Sequence, residues 1–226
     1  MWLSEIFTEK ELENKTKNLY HTCRGDISAM KEKFEDFFGV SYELAFGKED
    51  PEKCIINLLN NYYQNEYYIK SSFSNKYIGP NRAIFEYPVK DSRADIIDVH
   101  NSLECYEIKT KYDNLERLTK QINDYSRVFE YVYVVCSYDK LNEVEKKIPN
   151  YCGIITYKNR INCAFNKQKK AKISPNFSIN ELLNCFYKKE LKKYFNTYDI
   201  YEICNKCSDK QIINCYKKTL QARYFA

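Results

Sequence analysis

Residues 92–136 read SRADIIDVHNSLECYEIKTKYDNLERLTKQINDYSRVFEYVYVVC, and the fold turns on how this stretch is parsed. Two apolar, β-rich runs come first, carrying Asp95 and then Glu107 with Lys109, and Asn101 and Ser102 supply a turn between them. A strand sends alternate side chains to one face, so Glu107 and Lys109 point together while Tyr106 and Ile108 enter the opposite layer. A hairpin of this kind brings Asp95 beside Glu107. Two carboxylates so close repel unless a cation lies between them. A hard divalent ion takes such oxygen ligands, and the backbone carbonyl of Ile108 can add one more. The ammonium of Lys109 then stands at the rim of the pocket, where it can hold a water or stabilise charge on a phosphoryl group.

The Glu-x-Lys tripeptide carries little by itself. It recurs at Glu13, Glu145 and Glu190, in charged segments that read as solvated helix faces. Only the copy at Glu107 lies in an apolar, strand-like run. The plain alternative is a surface hairpin with an incidental cross-strand ion pair. The segment after the hairpin argues for a site. Asp113 as N-cap and Glu116 three residues later open a helix. Leu115, Leu118, Ile122 and Phe129 give that helix an apolar face, and Arg117, Gln121 and Tyr125 form one polar stripe at i, i+4. Residues 131–136 then suit a buried strand.

On the N-terminal side, residues 53–67 carry Ile55, Ile56, Leu59 and Tyr63 on a helical face, as expected of a helix covering one side of the sheet. Residues 71–82 read as a loop. The apolar run 83–89 is a strand whose Glu86 is either a further acid at the metal or an edge-strand carboxylate. Asp98 competes with Asp95 but falls on the other face of its strand, near the turn. Residues 153–157 and 161–165 look like further strands joined by a turn at 158–160. The chain thus divides into an N-terminal helical extension (1–50, two polar helices), a core (51–166) and a C-terminal helical region (167–226). That last region holds a charged linker at 167–177, then helices at 179–195 and 209–224.

Hydrophobic residues make up 44% of the 226, enough for a sizeable core, and no long apolar span or signal-like stretch occurs. A cytoplasmic protein without membrane attachment is expected, and its ten cysteines are then reduced thiols rather than a disulfide framework. Cys204-x-x-Cys207 has zinc-like spacing, but only Cys215 lies nearby, with His21, Cys23 and His100 far upstream, so four ligands are not in view. The net charge of +5 decides little, whereas its distribution gathers basic residues at 158–160, 167–172 and 188–193, where they meet phosphates or simply solvent. The 22 tyrosines can stack on bases, but a composition rich in Tyr, Asn, Lys and Ile is also what an AT-rich genome produces.

The order helix, three strands, helix, strand, with Asp95, Glu107-Ile108-Lys109 and Gln121-x-x-x-Tyr125, resembles the PD-(D/E)XK nuclease superfamily, in its RecB-like subset with a Gln-x-x-x-Tyr helix. More narrowly, Arg93-Ala94-Asp95, Tyr106-Glu107-Ile108-Lys109, Asp113-x-Leu115-x-Arg117-Leu118, Gln121 and Tyr125 resemble a mostly uncharacterised bacterial family of small proteins within it. The resemblance covers roughly residues 53–157 and, more loosely, a Leu-rich helix at 182–191. Ala94 stands where the superfamily's name has proline. The resemblance implies an α/β fold of restriction-endonuclease type, a mixed central sheet with helices on both faces and helical extensions at both ends. It implies that Asp95 and Glu107 bind Mg²⁺ or Mn²⁺, with Ile108 and Glu86 as further ligands, and that Lys109 is the catalytic lysine. Gln121 and Tyr125 orient the site or touch the substrate backbone. The expected function is metal-dependent hydrolysis of phosphodiester bonds in DNA, with RNA as the other substrate, in bacterial or phage defence or repair. A second copy of the chain or a protein from the same operon is the expected partner. The alternative is a catalytically inactive module of the same fold that binds nucleic acid or a protein.

Overall fold

The computed structural model describes residues 3–63, 65–79, 82–158 and 164–225. The described residues form two compact units, one up to residue 69 and one of residues from 70 to 158 with those from 164 onward.

The first unit is a cluster of short helices: α1 (Leu3–Ile6), α2 (Glu9–Thr22), α3 (Ile27–Glu32), α4 (Phe34–Phe38), α5 (Tyr42–Phe46) and α6 (Pro51–Tyr62). Four of these six starts, those of α2, α3, α5 and α6, carry a side-chain cap. Thr8 and Glu11 make a reciprocal capping box at α2, and Asp50 caps α6 with Pro51 in its first turn. The breaks are marked too: α4 ends at Gly39 with φ 68, a left-handed position that costs glycine little. This corrects the expectation of two helices before residue 46, because glycines and caps cut one polar stretch into five short pieces. The role expected for α6 is also corrected. Its buried Cys54, Ile55 and Leu58 join Leu12, Leu19, Phe34 and Phe38 in the core of this first unit.

The second unit is built on one six-stranded sheet in sequential order: β1 (Ala83–Val89), β2 (Ser92–Asp98), β3 (Glu104–Lys109), β4 (Tyr131–Ser137), β5 (Gly153–Tyr157) and β6 (Phe165–Lys169). β1, β2 and β3 are antiparallel neighbours, β3, β4 and β5 run parallel, and β6 returns antiparallel on β5. The parallel pairs need crossovers, which α8 (Leu118–Tyr125) and α9 (Leu141–Lys147) provide. Successive right-handed crossovers that advance across a sheet in one direction place their helices on the same face. Accordingly Leu118 and Ile122 of α8 and Val144 of α9 share one core with Cys105, Val132, Val134 and Ile154 from the strands. The C-terminal helices α10 (Ile179–Leu183), α11 (Lys188–Phe195), α12 (Ile200–Lys206) and α13 (Asp209–Tyr224) extend that core through Leu182, Leu191, Ile203, Ile212 and Tyr216.

The other face is aromatic. Tyr106 stacks on Tyr133, with ring centroids 5.3 Å apart, and Phe73 packs on Tyr106 and Phe165. Phe73 ends helix α7 (Glu66–Phe73), which continues into a π-turn at Ser74–Ile78, so the stretch expected to be a loop is largely helical. Gly153 is required where β5 passes beneath this layer: a Cβ there would lie 2.2 Å from the Tyr133 ring. Three further boundaries differ from expectation. The strand pairing with β5 is Phe165–Lys169, which shares only Phe165 with the strand read at 161–165 and runs into the segment read as a linker at 167–177; the turn read at 158–160 and the first residues of the strand as read lie largely outside the described residues. The helix read at 179–195 is two, α10 and α11, and α12 lies in a stretch given no element.

Candidate active site

The site is assembled by register. The pair Ile96↔Tyr106 between β2 and β3, continued by one step, sets Asp95 opposite Glu107. Between β1 and β2 the pairs Phe85↔Ile96 and Tyr87↔Ala94 set Glu86 opposite Asp95. Three acids thus lie in one row across three strands. The row is also where the sheet is irregular. Ile84 precedes Glu86 and Tyr87 comes after it, yet both enter the same core, as do Ala94 and Ile97 around Asp95. Regular alternation would send each of these pairs to opposite faces. Both strands therefore skip a step here, and Glu86 takes φ 54, a left-handed conformation costly for a residue with a Cβ.

Around Glu107 the side chains converge as the polar stripe of α8 requires. Its Oε1 accepts from Lys109 Nζ at 2.7 Å and from Gln121 Nε2 at 2.5 Å; the Tyr125 hydroxyl lies 2.8 Å from its Oε2. Lys109 Nζ also reaches Gln121 Oε1 at 3.1 Å, and the Tyr125 hydroxyl lies 2.7 Å from the Arg93 carbonyl on β2. Tyr125 is fully buried and Glu107 is 2% exposed, so this geometry is fixed by packing rather than chosen from solvent. Arg117, third in the stripe, is exposed at the N-cap of α8 and makes no capping bond there. The cap expected at Asp113 is corrected as well: its carboxylate accepts from the Thr110 amide and hydroxyl, closing a turn after β3 instead of starting the helix.

Asp95 is held differently. Its Oδ2 accepts the Ile108 amide at 2.6 Å, and its Oδ1 lies 2.7 Å from the ammonium of Lys70, which also binds Glu86. Ile108 thus meets Asp95 through its N–H, and Glu86 meets it through Lys70. Sequence reading missed Lys70 entirely. It sits on α7, between the stretch read as a helix (53–67) and the stretch read as a loop (71–82), so neither reading assigned it a role. Asp98 goes elsewhere, pairing with Arg82 and capping the His100 amide.

Burial and mutual charge set the electrostatics. Burial first, and the charge of Glu107 second, push the Asp95 carboxyl up to about 7 against the opposing pull of Lys70. Burial also raises Glu107, offset by Lys109, Tyr125 and Gln121. The Tyr125 phenol is driven up by burial and by Glu107, which keeps it a neutral donor. The donor set suits a hard divalent cation: carboxylate oxygens with no thiol or imidazole among them, and short of positive charge. A carboxylate has about four acceptor sites. Asp95 uses two in these bonds and Glu107 three, so both keep acceptor capacity for an ion. Among the C-terminal helices, Cys204 Sγ on α12 donates to Asn180 Oδ1 on α10.

Comparison with known proteins covers this whole region. The family described as Bacteriophage P4 protein cII matches residues 55–225, well over half of the chain. The chain belongs to the bacteriophage P4 protein cII family. The match to that family takes in the sheet, the C-terminal helices and every candidate site residue, and leaves α1 to α5 outside it. Protein cII of Enterobacteria phage P4 is 30% identical over 109 residues, which are 48% of this chain and 41% of that relative. The chain therefore spans less than half the length of the family member it matches. No solved structure matches the chain. No helix among the described residues is long and apolar enough to cross a membrane.

Proposed function

We propose that this protein is a divalent-metal-dependent nuclease that hydrolyses phosphodiester bonds in DNA, on a core of restriction-endonuclease type. The observation that carries this reading is the row of Asp95 and Glu107 across β2 and β3, with Lys109, Gln121 and Tyr125 converging on Glu107. Supporting it are the order of three antiparallel strands, crossover helix and parallel strand, and the resemblance of the motif to the PD-(D/E)XK superfamily. Asp95 and Glu107, with Glu86 and the Ile108 carbonyl, would hold Mg²⁺ or Mn²⁺; the ion supplies Lewis acidity and a more acidic water. The chain's own residues do the rest. Gln121 and Tyr125 orient the Glu107 carboxylate. Lys109, tethered by Glu107 and Gln121, presents an ammonium where charge on a phosphoryl group has to be met.

The test is nicking of supercoiled plasmid by the purified protein with Mg²⁺ or Mn²⁺, alongside Glu107→Ala and a chelator control, with a labelled RNA as second substrate. Cleavage that needs metal and Glu107 is expected. Cleavage surviving excess chelator or Glu107→Ala undiminished sinks the proposal. One observation favours the second reading, a non-catalytic module of this fold: the ammonium of Lys70 pairs with both Asp95 and Glu86.

A further inference from the structure

Lys70 is 9% exposed, and its ammonium stands between the carboxylates of Asp95 and Glu86, which the register places opposite each other on β2 and β1. A buried ammonium needs charged partners, and two neighbouring acids need a cation, so each satisfies the other. The ammonium is a compact point charge with three donors and no fixed plane. It is therefore the side chain best able to imitate a small metal ion among carboxylate oxygens. Its stem is long and flexible, while Phe73, three residues on, pins the end of α7 against Tyr106 and Phe165. The head can leave by rotamer change alone while the helix stays anchored.

Resting on the metal reading of the site, we infer that Lys70 is a resident counter-ion that occupies the place of a divalent cation between Asp95 and Glu86 and has to move out when the metal binds. A monovalent ammonium and a divalent ion repel each other when the same two carboxylates hold both at contact distance, most strongly beside the buried Asp95, since the Glu86 side chain is 48% exposed. Metal affinity is then set by a competition inside the protein. The compensated state is the resting form of the site rather than the mark of a retired one.

The experiment is calorimetric titration of Mn²⁺ into wild type, Lys70→Met, Lys70→Arg and Asp95→Asn. Removing the competing charge while keeping the stem should tighten Mn²⁺ binding at least tenfold in Lys70→Met, whereas Lys70→Arg keeps wild-type affinity or falls below it. A second measurement needs no variant: amine acetylation of wild type, read residue by residue by mass spectrometry. Lys70 should react slowly in chelator and severalfold faster with saturating Mn²⁺. Mn²⁺ affinity that is unchanged or weaker in Lys70→Met, with Lys70 equally unreactive with and without metal, overturns this inference alone, provided Asp95→Asn abolishes binding. Absence of Mn²⁺ binding from wild type and Lys70→Met alike overturns it together with the nuclease reading. If Lys70→Met fails to fold, the acetylation result decides.

Discussion

Two acids placed opposite each other in a buried row cost the metal-free protein stability in a way that depends on pH. The Asp95 carboxyl is held at about 7 in the fold against an ordinary 3.8. Between those limits the folded state keeps a proton that the unfolded chain has released. The contribution is whole below about pH 4 and is lost as pH rises through 7, with a slope of at most about 1.4 kcal/mol per pH unit. Glu107 is raised too and acts with the same sign. In chelator, urea unfolding at a series of pH values should show wild-type stability declining from pH 4 to 7, and Asp95→Asn should flatten that decline while abolishing cleavage. An unchanged slope in the variant would show that Asp95 is not the group under strain. Tyr125→Phe tests the other side of the site. It keeps the buried ring and deletes only the hydroxyl that lies against Glu107 and the Arg93 carbonyl, so cleavage and metal affinity should fall about 10–100-fold. Stability should drop by about 1.5–3 kcal/mol, the value of a bond to a charged group. Full activity in that variant, measured by plasmid nicking, would make Tyr125 a packing residue.

At the scale of elements, the irregularity at Glu86 gives a separate prediction. If the left-handed backbone there is a strained feature of β1, Glu86→Gly should be more stable than Glu86→Ala by about 1 kcal/mol in urea unfolding, since both lose the carboxylate and only alanine keeps a Cβ. Equal stabilities would place the strain elsewhere. The same point shows what the sequence could and could not disclose. The β2–β3 hairpin and α8 were legible because apolar alternation and the spacing of Leu118 and Ile122 are forced by burial, and those two elements bring Glu107, Lys109, Gln121 and Tyr125 together. The coupled skip at Glu86 and Asp95 was not legible, because strict alternation is the rule a reader applies and no glycine announces the departure. β6 was hidden for another reason: it is an edge strand with Asn166, Lys167 and Gln168 exposed, so neither face reads as buried. Lys70 was out of reach because a lysine acquires meaning here only from a strand pairing far along the chain.

On the scale of the whole molecule, the two compact units have separate hydrophobic cores, one built on Leu12, Phe34 and Leu58 and the other on the sheet with α8 to α13. Every candidate site residue, Lys70 included, belongs to the second unit. A ligand that binds only the folded form stabilises the unit that binds it, by about 2.7 kcal/mol at a free concentration one hundred times its Kd. For a unit of this size each kcal/mol moves the midpoint by about 2–4 °C. Differential scanning calorimetry of the full chain should therefore resolve two transitions, with saturating Mn²⁺ raising one of them by roughly 5–10 °C and leaving the other in place. Mutation assigns them: Gly153→Ala, which drives a methyl into Tyr133, should lower only the metal-sensitive transition, and Asp95→Asn should abolish its response to Mn²⁺. A metal shift shared equally by both transitions, or one that survives Asp95→Asn, would mean that the ion binds outside the row of acids on β1, β2 and β3.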